Sequence, residues 1–249
     1  MDEIQKLRRL SQAGELDVDG KASVCTRRGS TEGIILTHAQ MPNGRLTTLL
    51  KSLLTSVCEN NCYYCPFRSG RDFQRETFQP DDFASLVMNL TRAGLIQGIF
   101  LSSGVAGGGS ATQDRLLKTA EILRYKKNYP GYIHLKIMPG AEYDQVLQAM
   151  RLADRVSINL EAANAQRLPK LAPLKDFNTQ LLRPLGWIES IRQNLSPVGA
   201  WKNRWPSSCT QFVVGGAGES DLELLETSQD LHTNYGLLRA YYSAFQPHK

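Results

Sequence analysis

The sequence predicts an α/β protein with parallel strands, and two observations lead to that prediction. From Leu46 onward, short apolar runs alternate with amphipathic stretches of helical period. A parallel neighbour cannot be reached by a tight turn, so this alternation implies strands joined by right-handed crossovers. We count six strands, too few for a closed eight-stranded barrel. The alternatives are an open partial barrel with (β/α)6 connectivity and a doubly wound sheet.

The predicted strands follow the chain in order. The first starts at Leu46, although its composition also permits a helix. They are LTTLLKSLLTSV, GIFLSSG, YIHLKIMPG, RVSINLEA, TQFVVGG and LRAYYSAF. In either architecture their carboxyl ends gather ligands at one rim.

Helices are predicted between these strands. The first begins after Pro80 with Asp81 and Asp82 in its first turn, where acidic groups favour the helix dipole, and Gly94 ends it. The others are expected over 112–127, 143–152, 177–194 and 221–233.

The first 45 residues differ in character, so we expect an N-terminal extension over 1–45 and the barrel over 46–249. A short amphipathic stretch from Glu3 to Leu10 precedes sequence rich in Gly, Ser, Thr and Arg. No apolar run reaches the roughly 20 residues that cross a bilayer, and no signal peptide is recognisable. We therefore expect a cytoplasmic protein without a membrane partner.

Composition indicates a folded protein with a basic surface. Of 249 residues, 41% are hydrophobic and 21% are charged, which supports a sizeable core. The net charge of +5 and a pI near 9.0 fit a polyanionic partner such as nucleic acid.

A cysteine motif carries the chemistry. The segment CENNCYYC places Cys58, Cys62 and Cys65 in a CxxxCxxC pattern directly after the first strand. Three thiolates on one loop can ligate three irons of a 4Fe-4S cluster and leave the fourth iron open. A zinc site is the competing interpretation, but no fourth ligand lies at the usual spacing. A redox pair of Cys62 and Cys65 would leave Cys58 unexplained.

The motif, with Tyr64 before its last cysteine, resembles the signature loop of the radical S-adenosylmethionine (SAM) superfamily. The resemblance implies a six-stranded partial TIM-type barrel with a 4Fe-4S cluster and SAM as cofactors. It implies that the open iron chelates SAM and that an electron from the reduced cluster cleaves it to methionine and a 5′-deoxyadenosyl radical. The electron would come from a donor such as flavodoxin or ferredoxin, and the radical would abstract a hydrogen atom from substrate.

The resemblance also implies contacts to the methionine end of SAM. Ser102, Ser103 and Gly104 follow the second predicted strand, where the superfamily usually has a Gly-Gly-Glu pattern that binds the amino group. Lys136, on the third strand, could reach the carboxylate as a point charge. The alternative is a lysine whose ammonium extends to solvent.

Contacts to the ribose and adenine are implied by later strands. Ser157, Asn159 and Glu161 alternate along the fourth strand, so they are expected on one face. They resemble the polar residues that bind the ribose hydroxyls and the methionine end of SAM. Gly215 and Gly216, in VVGGAGE, resemble an adenine-contacting turn in which glycines admit the base.

A closer resemblance concerns radical SAM proteins assigned to DNA modification or repair, distantly similar to spore photoproduct lyase. These continue into a helix-hairpin-helix region that this sequence is not expected to contain. One alternative is a radical SAM enzyme that acts on a peptide or a small metabolite. The other is a non-catalytic iron-sulfur or zinc binding module. Basic candidates for nucleic-acid contact are Arg27, Arg28, Arg68, Arg71 and the stretch WKNRWP.

Two cysteines lie outside the motif. Cys209 is expected to be a small buried residue at the rim opposite the cluster. Cys25 could donate a hydrogen atom if the N-terminal segment covers the barrel mouth, or it has no role in the chemistry.

Overall fold

The protein is built on one curved sheet of eight strands. The computed structural model describes residues 3–11, 21–24, 33–40, 44 and 46–247. Within them the strands lie side by side in chain order, from β1 to β8. Their bounds are β1 Lys21–Val24, β2 Ile35–Gln40, β3 Leu46–Leu53, β4 Gly98–Ser102, β5 Tyr132–Lys136, β6 Arg155–Ser157, β7 Ser207–Val214 and β8 Arg239–Ala244.

The six strands β3 to β8 are all parallel. A doubly wound sheet would reverse its strand order at a switch point. Here the order runs one way, and no pairing within the described residues joins β8 to β1. The open (β/α)6 partial barrel is confirmed, and the segment after Leu46 is a strand.

Six α-helices connect and flank the strands of the described chain. Two of them adjoin a wider π-helical turn, over Ile122–Lys126 after α3 and over Phe177–Leu182 before α5. The bounds are α1 Glu3–Ser11, α2 Pro80–Arg92, α3 Gly109–Glu121, α4 Tyr143–Leu152, α5 Arg183–Asn194 and α6 Asp221–Asn234. None of the described helices is long and apolar enough to cross a bilayer.

The strands β1 and β2 were not predicted from sequence. They run antiparallel to each other, and β2 runs antiparallel to β3, so both extend the sheet beyond the barrel. Helix α1 packs on β2 and β3 through Leu7 and Leu10, which are fully buried. Only the amphipathic period of α1 was visible in this part of the sequence.

The parallel strands form the core because both of their faces are covered. Ile99 and Leu101 of β4, Ile133 and Leu135 of β5, and Val156 of β6 are completely buried. Parallel strands with helices on one side and a barrel interior on the other read as continuous apolar runs for this reason. Polar side chains concentrate where the strands end, at the carboxyl rim.

Candidate active site

A cavity of about 390 Å³ opens at the carboxyl rim of the parallel strands. The loop after β3 covers one side of it, and residues from every strand from β3 to β8 or from the loops after them complete the wall. Its polar and sulfur-bearing lining residues include Lys51, Cys58, Cys62, Tyr64, Cys65, Ser102, Ser103, Lys136, Asn159, Glu161, Lys175, Gln211 and Ser243. The structure thus brings together most of the site residues that the sequence predicted.

The cysteine-bearing loop is closed at its base by backbone pairing. Ser56 N–H donates to Glu76 at 2.9 Å, and Phe78 N–H donates to Leu54 at 2.9 Å. Helix α1 supports this base, because Arg9 forms an ion pair with the buried Glu76. The ends of the loop are therefore fixed relative to the strand that precedes it.

Arg75 holds the inside of the loop. Its guanidinium donates to the carbonyls of Ser56, Phe67 (2.6 Å) and Arg68 (2.8 Å). It also stacks on Phe73 at 3.8 Å. An arginine can satisfy several carbonyls at once because its donors form a rigid fork. No sequence motif indicated this role.

A second contact fixes the loop against the end of β4. Glu59 N–H donates to Val105 at 2.8 Å, and the Glu59 carboxylate accepts from the N–H groups of Gly107 and Gly108. Gly104 lies so close that a Cβ there would meet the Val57 carbonyl oxygen at 2.2 Å and Cys58 Cβ at 3.2 Å. Glycine is therefore needed here for a close backbone approach.

The three thiols of the loop line the same cavity. Burial raises the pKa of the Cys65 thiol to about 12, and burial also raises the pKa of Cys62, with Lys175 opposing the rise. Within the described chain, no three His, Cys, Asp or Glu side chains converge on a point where one metal ion could be held. Thiols on a single zinc would lie within about 4 Å of one another, given a zinc–sulfur distance of about 2.3 Å.

Lys175 was missed by sequence reasoning, because it lies in the long connection after β6 where no pattern marks it. Its Nζ lies 3.1 Å from Glu161 Oε1 and 3.1 Å from the Tyr64 hydroxyl. Burial lowers the pKa of Lys175, but the neighbouring Cys62 and Glu161 raise it by more, so it stays protonated. Burial, followed by Glu161 and Cys62, raises the pKa of Tyr64 and keeps the phenol neutral.

Unsatisfied polar atoms also face this cavity. Glu161 Oε2 and Ser103 Oγ are buried and have no hydrogen-bond partner among the described residues. Lys136 donates to the Asn159 side chain, so the ammonium of Lys136 turns into the cavity wall. The alternative of a lysine extending to solvent is thereby disfavoured. Buried polar atoms without partners are rare, and in a cavity they are open to a polar ligand or to water.

The expected alternation along the fourth predicted strand was wrong. Strand β6 ends at Ser157, so Ser157, Asn159 and Glu161 do not alternate along one strand face. Glu161 instead adopts a left-handed backbone with φ of 66° and pairs with Phe212 of β7. Asn159 and Glu161 line the cavity, whereas Ser157 is not among its lining residues and has a buried, unpaired hydroxyl.

Gly215 and Gly216 also lie outside the cavity lining. Gly215 N–H donates to Glu219, and a Cβ at Gly216 would meet the Phe245 ring at 2.6 Å. The turn therefore packs against its own neighbours. The cavity wall at this point comes from Val213 and from Ser243 of β8.

The remaining sequence candidates lie away from the thiols. Cys209 is buried, as expected, but it lies within β7, with its sulfur 3.8 Å from His134 Nε2. In WKNRWP, Trp201 stacks on Arg124 at 3.8 Å at the opposite rim. Lys202 and Arg204 pair there with Asp154, the residue before β6, which disfavours the stretch as a base-stacking surface. Cys25, Arg27 and Arg28 lie outside the described residues.

The family model named Radical SAM superfamily matches residues 52–231, which is most of the chain. The chain belongs to the radical SAM superfamily. Radical SAM enzymes use a 4Fe-4S cluster and SAM, and the match begins just before the cysteine loop and ends within α6. Comparison with the curated proteins gives no match.

Solved radical SAM structures share the fold at low sequence identity. The hydrogenase maturase HydG from Carboxydothermus hydrogenoformans has a TM-score of 0.61 and 15% identity over 80% of this chain and 44% of its own. Methylornithine synthase (PylB) has a TM-score of 0.58 and 15% identity over 80% of this chain and 54% of its own. Streptococcus suis SuiB bound to SAM has a TM-score of 0.56 and 10% identity over 82% of this chain and 42% of its own. This radical SAM chain thus spans about half the length of these structures.

Proposed function

We propose that Cys58, Cys62 and Cys65 hold a 4Fe-4S cluster and that SAM binds beside it in the cavity of the carboxyl rim. The observation that carries this proposal is the shared lining: three thiols and the unpaired atoms Glu161 Oε2 and Ser103 Oγ face one cavity. A cavity of this size falls within the range that holds small-molecule ligands.

The donor set fits an iron-sulfur cluster better than a zinc ion. Three cysteines on one loop, without a convergent single-ion site in the described chain, suit thiolates that each bind a different iron. A closed structural zinc site, and with it the zinc form of a non-catalytic module, is disfavoured.

Individual residues are proposed to hold SAM by their chemistry. Ser103 and the carboxylate of Glu161 have acceptor capacity left for its amino group or ribose hydroxyls, and Lys136 supplies a charge for its carboxylate. Tyr64 and Asn159 complete the wall, together with Ser102. Gly104 brings the β4 end against the cysteine loop, and Ser157, Gly215 and Gly216 support the surrounding backbone from outside the lining.

The reduced cluster, when bound, supplies the electron that cleaves SAM to methionine and a 5′-deoxyadenosyl radical. The chain's own residues position SAM and exclude water, which protects a reactive radical from side reactions. We infer that a one-electron donor such as flavodoxin or ferredoxin reduces the cluster. Free thiols and an iron-sulfur cluster suit a reducing compartment such as the cytoplasm.

For the substrate we propose a nucleic acid, in a modification or repair reaction. The net charge of +5 supports this class. Arg68 and Arg71 add support, because both follow the last cysteine of the motif and line a surface depression. The motif resemblance to proteins assigned to DNA modification or repair points the same way. A peptide or small metabolite is the alternative.

One anaerobic experiment tests both halves of the proposal. Wild type and Cys209→Ala should each bind about four irons, and their reduced electron paramagnetic resonance (EPR) spectra should change when SAM is added. Cys58→Ala should lose the cluster. A Cys58→Ala variant with full iron and sulfide, or a wild-type spectrum unaffected by SAM, would overturn the site.

The same preparation addresses the substrate. With SAM and dithionite, an oligonucleotide substrate should increase the yield of 5′-deoxyadenosine, and rising salt should reduce this effect if phosphate contacts supply affinity. If the yield of 5′-deoxyadenosine responds to peptides or metabolites but not to DNA or RNA, the substrate is a peptide or a small metabolite.

A further inference from the structure

The long connection between β6 and α5 brings a lysine to the cysteine loop. Tyr63 N–H donates to Leu171 at 2.9 Å, which ties this connection to the loop between two of its cysteines. Four residues further on, Lys175 enters the cavity, with a side chain only 10% exposed. The lysine thus reaches the thiols from a part of the chain that has no cysteine motif.

The Lys175 ammonium is held in one place by two contacts. It lies 3.1 Å from the Tyr64 hydroxyl and 3.1 Å from Glu161 Oε1, whose side chain is 5% exposed. Its Nζ also lies 5.8 Å from the centre of the Tyr64 ring. Tyr64 is adjacent in sequence to Cys65, and Lys175 lines the same cavity as the three thiols. A fixed positive charge therefore lies in the cavity that the three thiols line, in contact with the residue that precedes Cys65.

A fixed charge near an iron-sulfur cluster changes the cluster's affinity for an electron. Reduction adds one negative charge, and a nearby cation favours the reduced state, more strongly where water is excluded. Glu161 acts in the opposite direction, because its carboxylate is close enough to offset part of the ammonium's charge. Within the described lining, Glu161 is the acidic residue and Lys175 the cation directly paired with it.

We propose that Lys175 raises the reduction potential of the cluster held by Cys58, Cys62 and Cys65, and that Glu161 limits this effect. This inference rests on the proposed function, since it needs the cluster. The redox step takes one electron from a one-electron reductant, and no bond is made or broken. Lys175 acts here through its charge on the ligands and is not a catalytic residue.

The test is a potentiometric titration of the reconstituted protein without SAM, at pH 8, followed by EPR. In Lys175→Met we expect the ratio of reduced to oxidised cluster at a fixed potential to fall on the order of tenfold, which for one electron corresponds to about 59 mV. Glu161→Gln should shift the potential in the opposite direction. The matched control is Lys170→Met, because Lys170 lies on the same connection but is exposed.

The outcomes separate this inference from the proposed function. If the wild type binds no cluster, the proposed function fails. If it binds one but Lys175→Met and Glu161→Gln keep the wild-type potential, or shift it in the same direction, only the present inference is overturned. If Lys175→Met does not load a cluster, the potential of Glu161→Gln decides whether the inference holds. Lys175→Arg should then restore cluster loading, with a potential near that of the wild type.

Discussion

Gly104→Ala should loosen the cysteine loop without touching a cysteine. The new Cβ would lie 2.2 Å from the Val57 carbonyl oxygen, and contacts under 3.0 Å essentially never occur, so the two backbones must separate by at least 0.8 Å. The movement acts directly on Cys58, the next residue. It also strains the hydrogen bond from Gly104 N–H to Thr55, which is 2.7 Å long.

The expected cost of the Gly104→Ala substitution is about 2 kcal/mol, in the range for overpacking of a well-packed site. For a chain of this size, that loss lowers the melting temperature by about 4–8 °C. Circular dichroism of the cluster-free protein measures this change. Iron content after anaerobic reconstitution should fall as well, because the Cys58 thiol no longer lies where the cluster needs it.

Gly186→Ala is the matched control. Gly186 lies within α5, and a Cβ there would come no closer than 3.8 Å to Tyr235. Alanine in a helix interior is favoured by about 0.5–1 kcal/mol over glycine, so this variant should melt slightly above the wild type with full iron. The reasoning is refuted if Gly104→Ala melts with the wild type and loads as much iron.

Two further predictions concern Arg75 and His134. Arg75→Ala should lower the free energy of unfolding by about 3 kcal/mol and reduce iron loading, because the carbonyls that Arg75 binds lose their charged donor. The control Arg71→Ala removes one hydrogen bond to Pro66 and should have a smaller effect in the same assays. Burial depresses the pKa of His134 well below 6.5, so the unfolded chain binds a proton that the folded chain does not. In urea titrations below pH 6.5, the free energy of unfolding of the wild type should therefore fall by up to about 1.4 kcal/mol per pH unit relative to His134→Phe. Equal pH dependence in the two proteins would contradict this. Positive charges from three other positions add to the depression of this pKa: Arg155, Lys136 and Lys51.

The sequence predicted the barrel well because its signals are local. Each β/α unit carries its own apolar run and its own amphipathic helix, so six units could be counted without knowledge of contacts. The strands β1 and β2 escaped prediction because they lie in sequence rich in Gly, Ser, Thr and Arg without a period-2 pattern. They form one end of the sheet, where β1 is the edge strand and pairs with β2, and β2 in turn pairs with β3. Such pairing is a long-range contact that composition does not reveal.

The candidate site also combines residues that a local motif predicts with residues that only the folded chain brings together. Residues 58–65 form a local motif, and the presence of their thiols on one loop can be anticipated from spacing alone. Lys175 and Arg75 could not be found this way, because each acts on the loop through contacts formed only in the folded chain. The position of Gly215 and Gly216 outside the cavity lining could not be predicted for a similar reason: whether a turn faces the cavity depends on how the next strand, β8, packs beside it.

Glu161 shows how the end of a strand can be adapted to a site. A non-glycine residue in the left-handed region costs of order 1–3 kcal/mol and persists only where its surroundings enforce it. Here Glu161 N–H donates to Gln211 at 3.0 Å and its carbonyl accepts from Val213 at 2.7 Å, so β7 fixes the strained backbone. Without that turn, β6 would continue and direct this side chain by simple alternation. With it, the carboxylate meets Lys175 beside the thiols, which connects the backbone strain to the charge balance of the proposed cluster site.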